Sequence, residues 1–267
     1  MALITIDEEK CTRCGLCSRA CPVGIILLGD DIPETIDKIE KGCITCGHCV
    51  AVCPSSALHH HRMAPEACQD LEAGWRQTPE QIEQLVKGRR SIRRYRPDLV
   101  TQDVLEKLFD IVRYAPTGMN TQTVQWLVML DPDEIQRLSS IVVDWLRLLH
   151  AQGAPGVKGM LKAWEMGADP ILRKAPHLII AHGGINDMVA RYSSIIALTT
   201  LELASVSFGL GACWAGFLFQ AANSYADVYD FLGLPPGHQM YGGLTIGYPE
   251  FEYARIPLRN QVNVIWR

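Results

Sequence analysis

From Thr78 onward, apolar residues recur in helical blocks separated by short β-rich runs. Ile82, Leu85 and Val86 mark one face of a helix whose start is signalled by Thr78-Pro79-Glu80-Gln81. That order supplies a capping hydroxyl, a proline at the first helical position and a glutamine that can close a capping box. Val104, Leu105, Leu108, Ile111 and Val112 predict a second helix over 101–115, ended by Pro116. Helical patterns also cover 133–150 and 190–208, the latter apolar nearly all round. "VQWLVML" (124–130), "HLIIAH" (177–182) and "YGGLTIGY" (241–248) have strand length and strand composition. Such alternation predicts an α+β or α/β sandwich. Residues 63–78 lack a period and contain Pro65 and Gly74. They read as a connector between a domain at 1–62 and a second at 79–267.

Composition narrows the class. Apolar residues make up 48% and charged residues 20%, as in globular proteins generally. A net charge of -4 argues against nucleic acid or an anionic membrane as a partner. The longest apolar run begins at Ser193 and is interrupted by Glu202 and many Ser, Thr and Gly residues. It predicts a core or interface helix and no membrane span. "MALITIDEEK" lacks a basic stretch followed by an apolar one, so the expected location is the cytoplasm.

The cysteines change the picture. Eight of the ten lie in "CTRCGLCSRACP", from Cys11, and "CITCGHCVAVCP", from Cys43. Both runs read C-x2-C-x2-C-x3-C-P. Thiolates at i, i+3 and i+6 wrap one metal centre, and in this spacing the fourth cysteine serves the other cluster. The expectation is two 4Fe-4S clusters, one on Cys11, Cys14, Cys17 and Cys53, the other on Cys43, Cys46, Cys49 and Cys21. Gly15 and Gly47 leave room for backbone amides near the cluster sulfides, while Pro22 and Pro54 turn the chain away. Zinc sites favour paired C-x2-C units, and disulfide scaffolds are shorter chains with dispersed cysteines; both fit these runs less well. Residues 1–62 resemble the bacterial two-cluster ferredoxins. Cys68 and Cys213 fall outside the runs and read as small buried apolar residues. His59, His60 and His61 read as a solvated domain edge.

A second chemical signal is "GRRSIRRYRPD" (88–98), since guanidinium forks suit phosphate. It is followed in order by "YAPTGMNTQTVQW" (114–126), "GLGACWAGF" (209–217), "IGYP" (246–249) and "YARIP" (253–257). Together these motifs resemble the nitroreductase family of FMN enzymes over about residues 79–267. The resemblance implies an α/β sandwich with a central, mainly antiparallel sheet flanked by helices. It also implies a homodimer with FMN at the subunit interface. By the same resemblance Arg89, Arg90, Ser91 and Arg93 hold the FMN phosphate and ribityl chain, and Arg255 returns to the phosphate. Pro116, Thr117, Gly118 and Asn120 would border the flavin, with Asn120 and Gln122 as polar partners. The backbone from Gly211 and Ala212 to Gly216 would lie near the isoalloxazine. The family's N-x-Q-P-W is replaced here by "NTQTVQW".

FMN exchanges one or two electrons, and iron-sulfur clusters carry one at a time. The combination predicts an FMN oxidoreductase fed through its own clusters, reducing a nitroaromatic, quinone or related conjugated acceptor. The external donor would be a ferredoxin-like protein or NAD(P)H. An electron-transfer adaptor between protein partners, or a dehalogenase-like FMN enzyme, are the alternatives. Hydride delivery by the cofactor requires no protein acid, and no catalytic side chain is assigned. Within 145–175, Trp145, Met160, Trp164 and Met166 read as helix packing before a substrate lid, and Arg147, Lys158 and Lys162 as solvated.

Overall fold

The computed structural model describes residues 2–29, 32–35 and 40–267. It divides into two units, Met1–Arg76 with Met119–Thr121, and Gln77–Gly118 with Gln122–Arg267.

The first unit is a twofold repeat of cysteine loop, short helix and strand. Helix α1 (Leu16–Ala20) follows the first loop and α2 (His48–Ala51) the second. Strand β1 (Ile4–Ile6) pairs antiparallel with β4 (Leu58–His60), and β2 (Ile26–Leu28) with β3 (Pro33–Thr35). Helices of four and five residues have no stability of their own in water. They are held by a core of Ile4, Ile25, Ile26, Val50 and Leu58, into which Cys17 and Cys49 also pack. Both loops bend the same way. Arg13 and Thr45 have φ of 56° and 52°, and Gly15 and Gly47 have 67° and 74°. Left-handed backbone is cheap at the glycines and costly at the other two.

The second unit is built on a four-stranded antiparallel sheet of order β5-β6-β8-β7, with β5 at Gln125–Met129, β6 at His177–Gly184, β7 at Gly211–Trp214 and β8 at His238–Gly247. Strand β6 is buried along nearly its whole length because helices cover both sheet faces. Successive side chains point to opposite faces. Leu178 and Ile180 therefore enter one core, with α5 (Pro132–Ala151), α6 (Val157–Glu165), α8 (Gly216–Ala222) and α9 (Ala226–Leu232). Ile179 and Ala181 enter the other, with α4 (Gln102–Val112) and α7 (Met188–Ser205). The first helix of the unit, α3 (Pro79–Gly88), has the expected capping box: Gln81 N donates to Thr78 Oγ1 at 3.3 Å, and Thr78 N donates to Gln81 Oε1 at 2.9 Å.

Three readings are revised. The helix expected over 101–115 ends at Val112, beyond which Tyr114 N and Ala115 N close tighter turns onto Ile111 O and Val112 O before Pro116, which has no N–H to continue the helix. Helix α7 spans Met188–Ser205 where 190–208 was expected, its end tightening into a 3-10 turn at Val206–Phe208; Ala197, Leu198 and Leu201 face the sheet, and Tyr192, Ile195 and Ile196 are exposed. Cys68 is exposed, since it follows a single 3-10 turn, Pro65–Ala67, with no core beside it. Trp145 is a core residue, with Met160 and Trp164 packed against the same cluster, while Met166 is exposed. Arg147, Lys158 and Lys162 lie on the solvent side. Beyond β8, Glu250 N donates to Arg94 O at 3.1 Å, and residues 250–267 then run as an exposed arm. Leu258, Val262, Ile265 and Trp266 on it are 98%, 83%, 84% and 88% exposed, covered by none of the described residues. No helix among the described residues is long and apolar enough to cross a membrane.

Gly211 is fixed by a close approach: a Cβ there would lie 2.2 Å from Ile92 Cγ1 and 2.9 Å from its Cβ. Gly211→Ala should therefore lower unfolding stability by about 1–3 kcal/mol through overpacking. Urea denaturation should show the Gly211→Ala, Ile92→Ala double variant losing less than the sum of the single losses.

Candidate functional site

The structure sorts the eight motif cysteines into two foursomes. Cys11, Cys14, Cys17 and Cys53 line one small cavity. Cys21 joins Cys43, Cys46 and Cys49 around another. The fourth cysteine of each run thus crosses to the other repeat, as the spacing required. Among the described residues no three His, Cys, Asp or Glu side chains converge on one ion. Mononuclear zinc needs its sulfurs about 2.3 Å from a single point. Four thiols spread around a cavity fit the wider ligand set of a cubane.

Backbone amides aim at these sulfurs. Thr45 N donates to Cys43 Sγ at 3.4 Å, and Ala57 N to Cys53 Sγ at 3.3 Å. The backbone N–H of Leu16 lowers the Cys14 thiol pKa. Burial pushes Cys49 up to about 11 and raises Cys17 as well. Loading metal must displace those protons.

His60 departs from expectation. It is 4% exposed rather than solvated, because β4 turns it inward. Its Nε2 lies 3.5 Å from Cys43 Sγ, and its Nδ1 accepts the Arg62 backbone N–H at 3.1 Å. His61 is exposed.

In the second unit, Ile92 N donates to Ala212 O at 2.9 Å, which fastens the arginine-rich segment to the edge strand β7. Tyr95 OH donates to Ile92 O at 2.8 Å and sits 2.8 Å from Thr245 Oγ1. Burial keeps this phenol protonated far above the ordinary tyrosine range. Arg89 Nη1 donates to Glu202 Oε1 at 2.9 Å, and Trp214 Nε1 donates to Glu202 Oε2 at 3.3 Å. A carboxylate in the last turn of the apolar helix α7 therefore fixes one guanidinium and leaves its other N–H groups for a ligand. Arg90 and Ser91 are half-buried and Arg93 is exposed, donating to Ser91 O at 3.3 Å. Burial raises the Cys213 thiol against the opposing fields of Arg93, Arg173 and Arg89.

Sequence reasoning missed Glu202, Trp214 and Arg173 as members of the site. A lone acid inside an apolar helix was the available signal for Glu202. Arg173 carried none, because its position depends on the turn before β6, where it takes φ of 67°.

The loop at 116–122 is tightly wound. Gln122 N donates to Thr117 Oγ1 at 3.0 Å, and Met119, Asn120 and Gln122 have φ of 50°, 53° and 50°. Left-handed backbone at non-glycine residues marks a place where surrounding structure enforces strain. Pro116 and Gly118 are exposed; a Cβ on Gly118 would lie 3.0 Å from Val189 Cγ1. Asn120 belongs to the first unit, where its side-chain amide donates to Ile44 O at 3.1 Å and Thr45 O at 2.9 Å. Gly211 and Ala212 are buried, Gly211 against Ile92, whereas Gly216 is exposed with open space around its Cβ direction. Arg255 is exposed on the C-terminal arm.

Comparison with known proteins places both halves. The family model of the nitroreductase family matches residues 86–248, and that of the 4Fe-4S dicluster domain matches 3–54. The iodotyrosine deiodinase of Thermotoga neapolitana is 24% identical over 185 residues, 67% of this chain and 94% of that protein. The FMN reductase (NAD(P)H) of Bacillus subtilis is 26% identical over 175 residues, 63% of this chain and 66% of that protein. The crystal structure of a nitroreductase with bound FMN from Bacteroides fragilis has the same fold, at a TM-score of 0.55 and 22% identity over 70% of this chain and 99% of that one. With the family match spanning most of the second unit and the dicluster match most of the first, the chain belongs to the nitroreductase family, joined to an N-terminal 4Fe-4S dicluster domain, and is an oxidoreductase of the nitroreductase type.

Proposed function

We propose that this chain is an FMN-dependent oxidoreductase that receives electrons through two 4Fe-4S clusters and reduces a nitroaromatic, quinone or related conjugated acceptor. The observation that carries the reading is the sorting of eight thiols into two foursomes on the chain that also holds the arginine-lined edge of β7. In this division residues 1–62 hold the clusters, 63–78 connect, and 79–267 hold the flavin. Bound FMN would supply hydride transfer and single-electron exchange, and the clusters one-electron transfer. Tethering the two on one polypeptide raises the effective concentration of donor at acceptor.

The residues divide the work by chemistry. Arg89, Arg90 and Arg93, with Ser91 and Arg255, offer charge-assisted donors to a phosphate. Glu202 and Trp214 orient Arg89, so its free N–H groups are set before any ligand arrives. Thr117 and Gln122, tied by the bond from Gln122 N to Thr117 Oγ1, present groups with little freedom to lose, and Gly216 admits close approach of a planar ring. Arg173 adds positive charge on the same side.

Dehalogenation of an aromatic substrate is the second reading. It is favoured by the likeness to iodotyrosine deiodinase across two thirds of the chain. Halide release from halogenated phenols, measured against reduction of nitroaromatics and quinones with one electron donor, separates the two.

The chain is further proposed to work as a homodimer with flavin at the subunit interface. Tyr192, Ile195 and Ile196 on α7 and the apolar residues of the 250–267 arm form faces that the described residues leave uncovered. Sedimentation should give a dimer, and Ile196→Asp with Ile195→Asp should shift it toward monomer and release flavin.

Anaerobically purified protein should contain iron and acid-labile sulfide for two clusters, no stoichiometric zinc, and FMN. Arg89→Ala should weaken FMN binding about tenfold or more and also lower stability by up to about 3 kcal/mol, because it strands a buried carboxylate. Glu202→Ala should weaken FMN binding with a smaller loss of stability, since the half-buried Arg89 can hydrate. Flavin fluorescence titration and thermal unfolding of the apoprotein provide the two readouts. Zinc in place of iron, or flavin affinity unmoved by Arg89→Ala, would overturn the proposal.

A further inference from the structure

The two cysteine repeats are alike in spacing but not in what faces their sulfurs. Nδ1 of His60 accepts a hydrogen bond from the Arg62 backbone N–H at 3.1 Å. A backbone amide can only donate, so Nδ1 bears the lone pair and the neutral ring holds its proton on Nε2. That nitrogen is 3.5 Å from Cys43 Sγ, within range of an N–H···S hydrogen bond. The ring is 4% exposed and lines the cavity shared by Cys43, Cys46, Cys49 and Cys21. Packing and the Arg62 amide therefore fix the donor's direction, leaving it no solvent partner to turn toward.

Among the described residues no imidazole lines the other cavity, where the Ser55 hydroxyl lies 3.9 Å from Cys53 Sγ. Counting from the first cysteine run, the position equivalent to His60 is Leu28, an apolar residue 55% exposed. The strands end Ile26-Leu27-Leu28 in one repeat and Leu58-His59-His60 in the other. Apart from this pair, both loops share the left-handed residue before the second cysteine and the glycine after it.

We infer that His60 is a positioning residue for electron transfer, donating Nε2–H to Cys43 Sγ and so raising the reduction potential of the cluster held by Cys43, Cys46, Cys49 and Cys21, while among the described residues no imidazole faces the other cluster. A donor to a ligating sulfur stabilises the more negative, reduced state of its cluster. The repeats then present unequal sites to an incoming electron, set by a side chain that ligates no iron. The inference rests on the 4Fe-4S reading above.

The test uses the full chain with both clusters, purified anaerobically, and potentiometric titration followed by electron paramagnetic resonance. His60→Leu, which copies the first repeat, should leave iron content unchanged and shift one of the two midpoint potentials to more negative values. The ratio of reduced to oxidised cluster at fixed potential should fall about tenfold, equivalent to 59 mV for a one-electron couple. The other cluster should not move. His60→Gln retains an N–H donor and should recover part of the shift. In parent protein with 15N-labelled histidine, one reduced cluster should show a weak 15N coupling that His60→Gln removes; this readout does not depend on His60→Leu folding. Unmoved potentials at full iron content, equal shifts in both clusters, or no 15N coupling in the parent would each overturn the role of His60. Absence of iron from the parent would instead overturn the cluster reading itself.

Discussion

Two-sided burial of the β6–β8 pair is the constraint from which the second unit follows. Strands this apolar on both faces have no stable exposure to water, so helices must cover them above and below. The alternating side chains of Leu178–Ala181 sort those helices into two groups. Covering one face with α7 brings Glu202 to the end of β7. Pairing β7 with β8 leaves β7 at the sheet edge, where the arginine-rich segment completes its hydrogen bonding through Ile92 and Ala212. The site is thus assembled by the core, and Gly211 is the point where backbone and Ile92 come too close for any side chain.

The first unit obeys a different constraint. Its helices are a single turn or little more, and its apolar core is a handful of residues. Domains of this size usually need a covalent or metal staple. Cys17 and Cys49 pack into that core, and burial is what raises their thiol pKa values. Left-handed backbone at Arg13 and Thr45 is a strain that the surrounding loop structure enforces in both repeats.

Charge is distributed to suit these roles. Arginines gather where a dianion would sit, and one is pre-aimed by a buried carboxylate and an indole. Around the sulfurs the donors are mainly backbone amides, joined by the Ser55 hydroxyl near Cys53 and the His60 imidazole near Cys43. Neutral donors near sulfur and cationic donors near phosphate match the softness and charge of the respective ligands.

What the sequence determined by itself was local. Cysteine spacing, the Thr78–Gln81 cap, the periodicity of α4, α5 and α7 and the order of the arginine and glycine motifs are encoded within a few residues of chain, so covalent geometry suffices to read them. The short α6, α8 and α9 and strand β7 were not legible, since elements of four to nine residues are stabilised by neighbours more than by their own pattern. Tertiary structure alone decided that Glu202 meets Arg89 and Trp214, that Arg173 lies near Cys213, and that the middle histidine of His59–His61 turns inward to Cys43. Those contacts join residues distant in the chain, and sheet register with helix placement sets them.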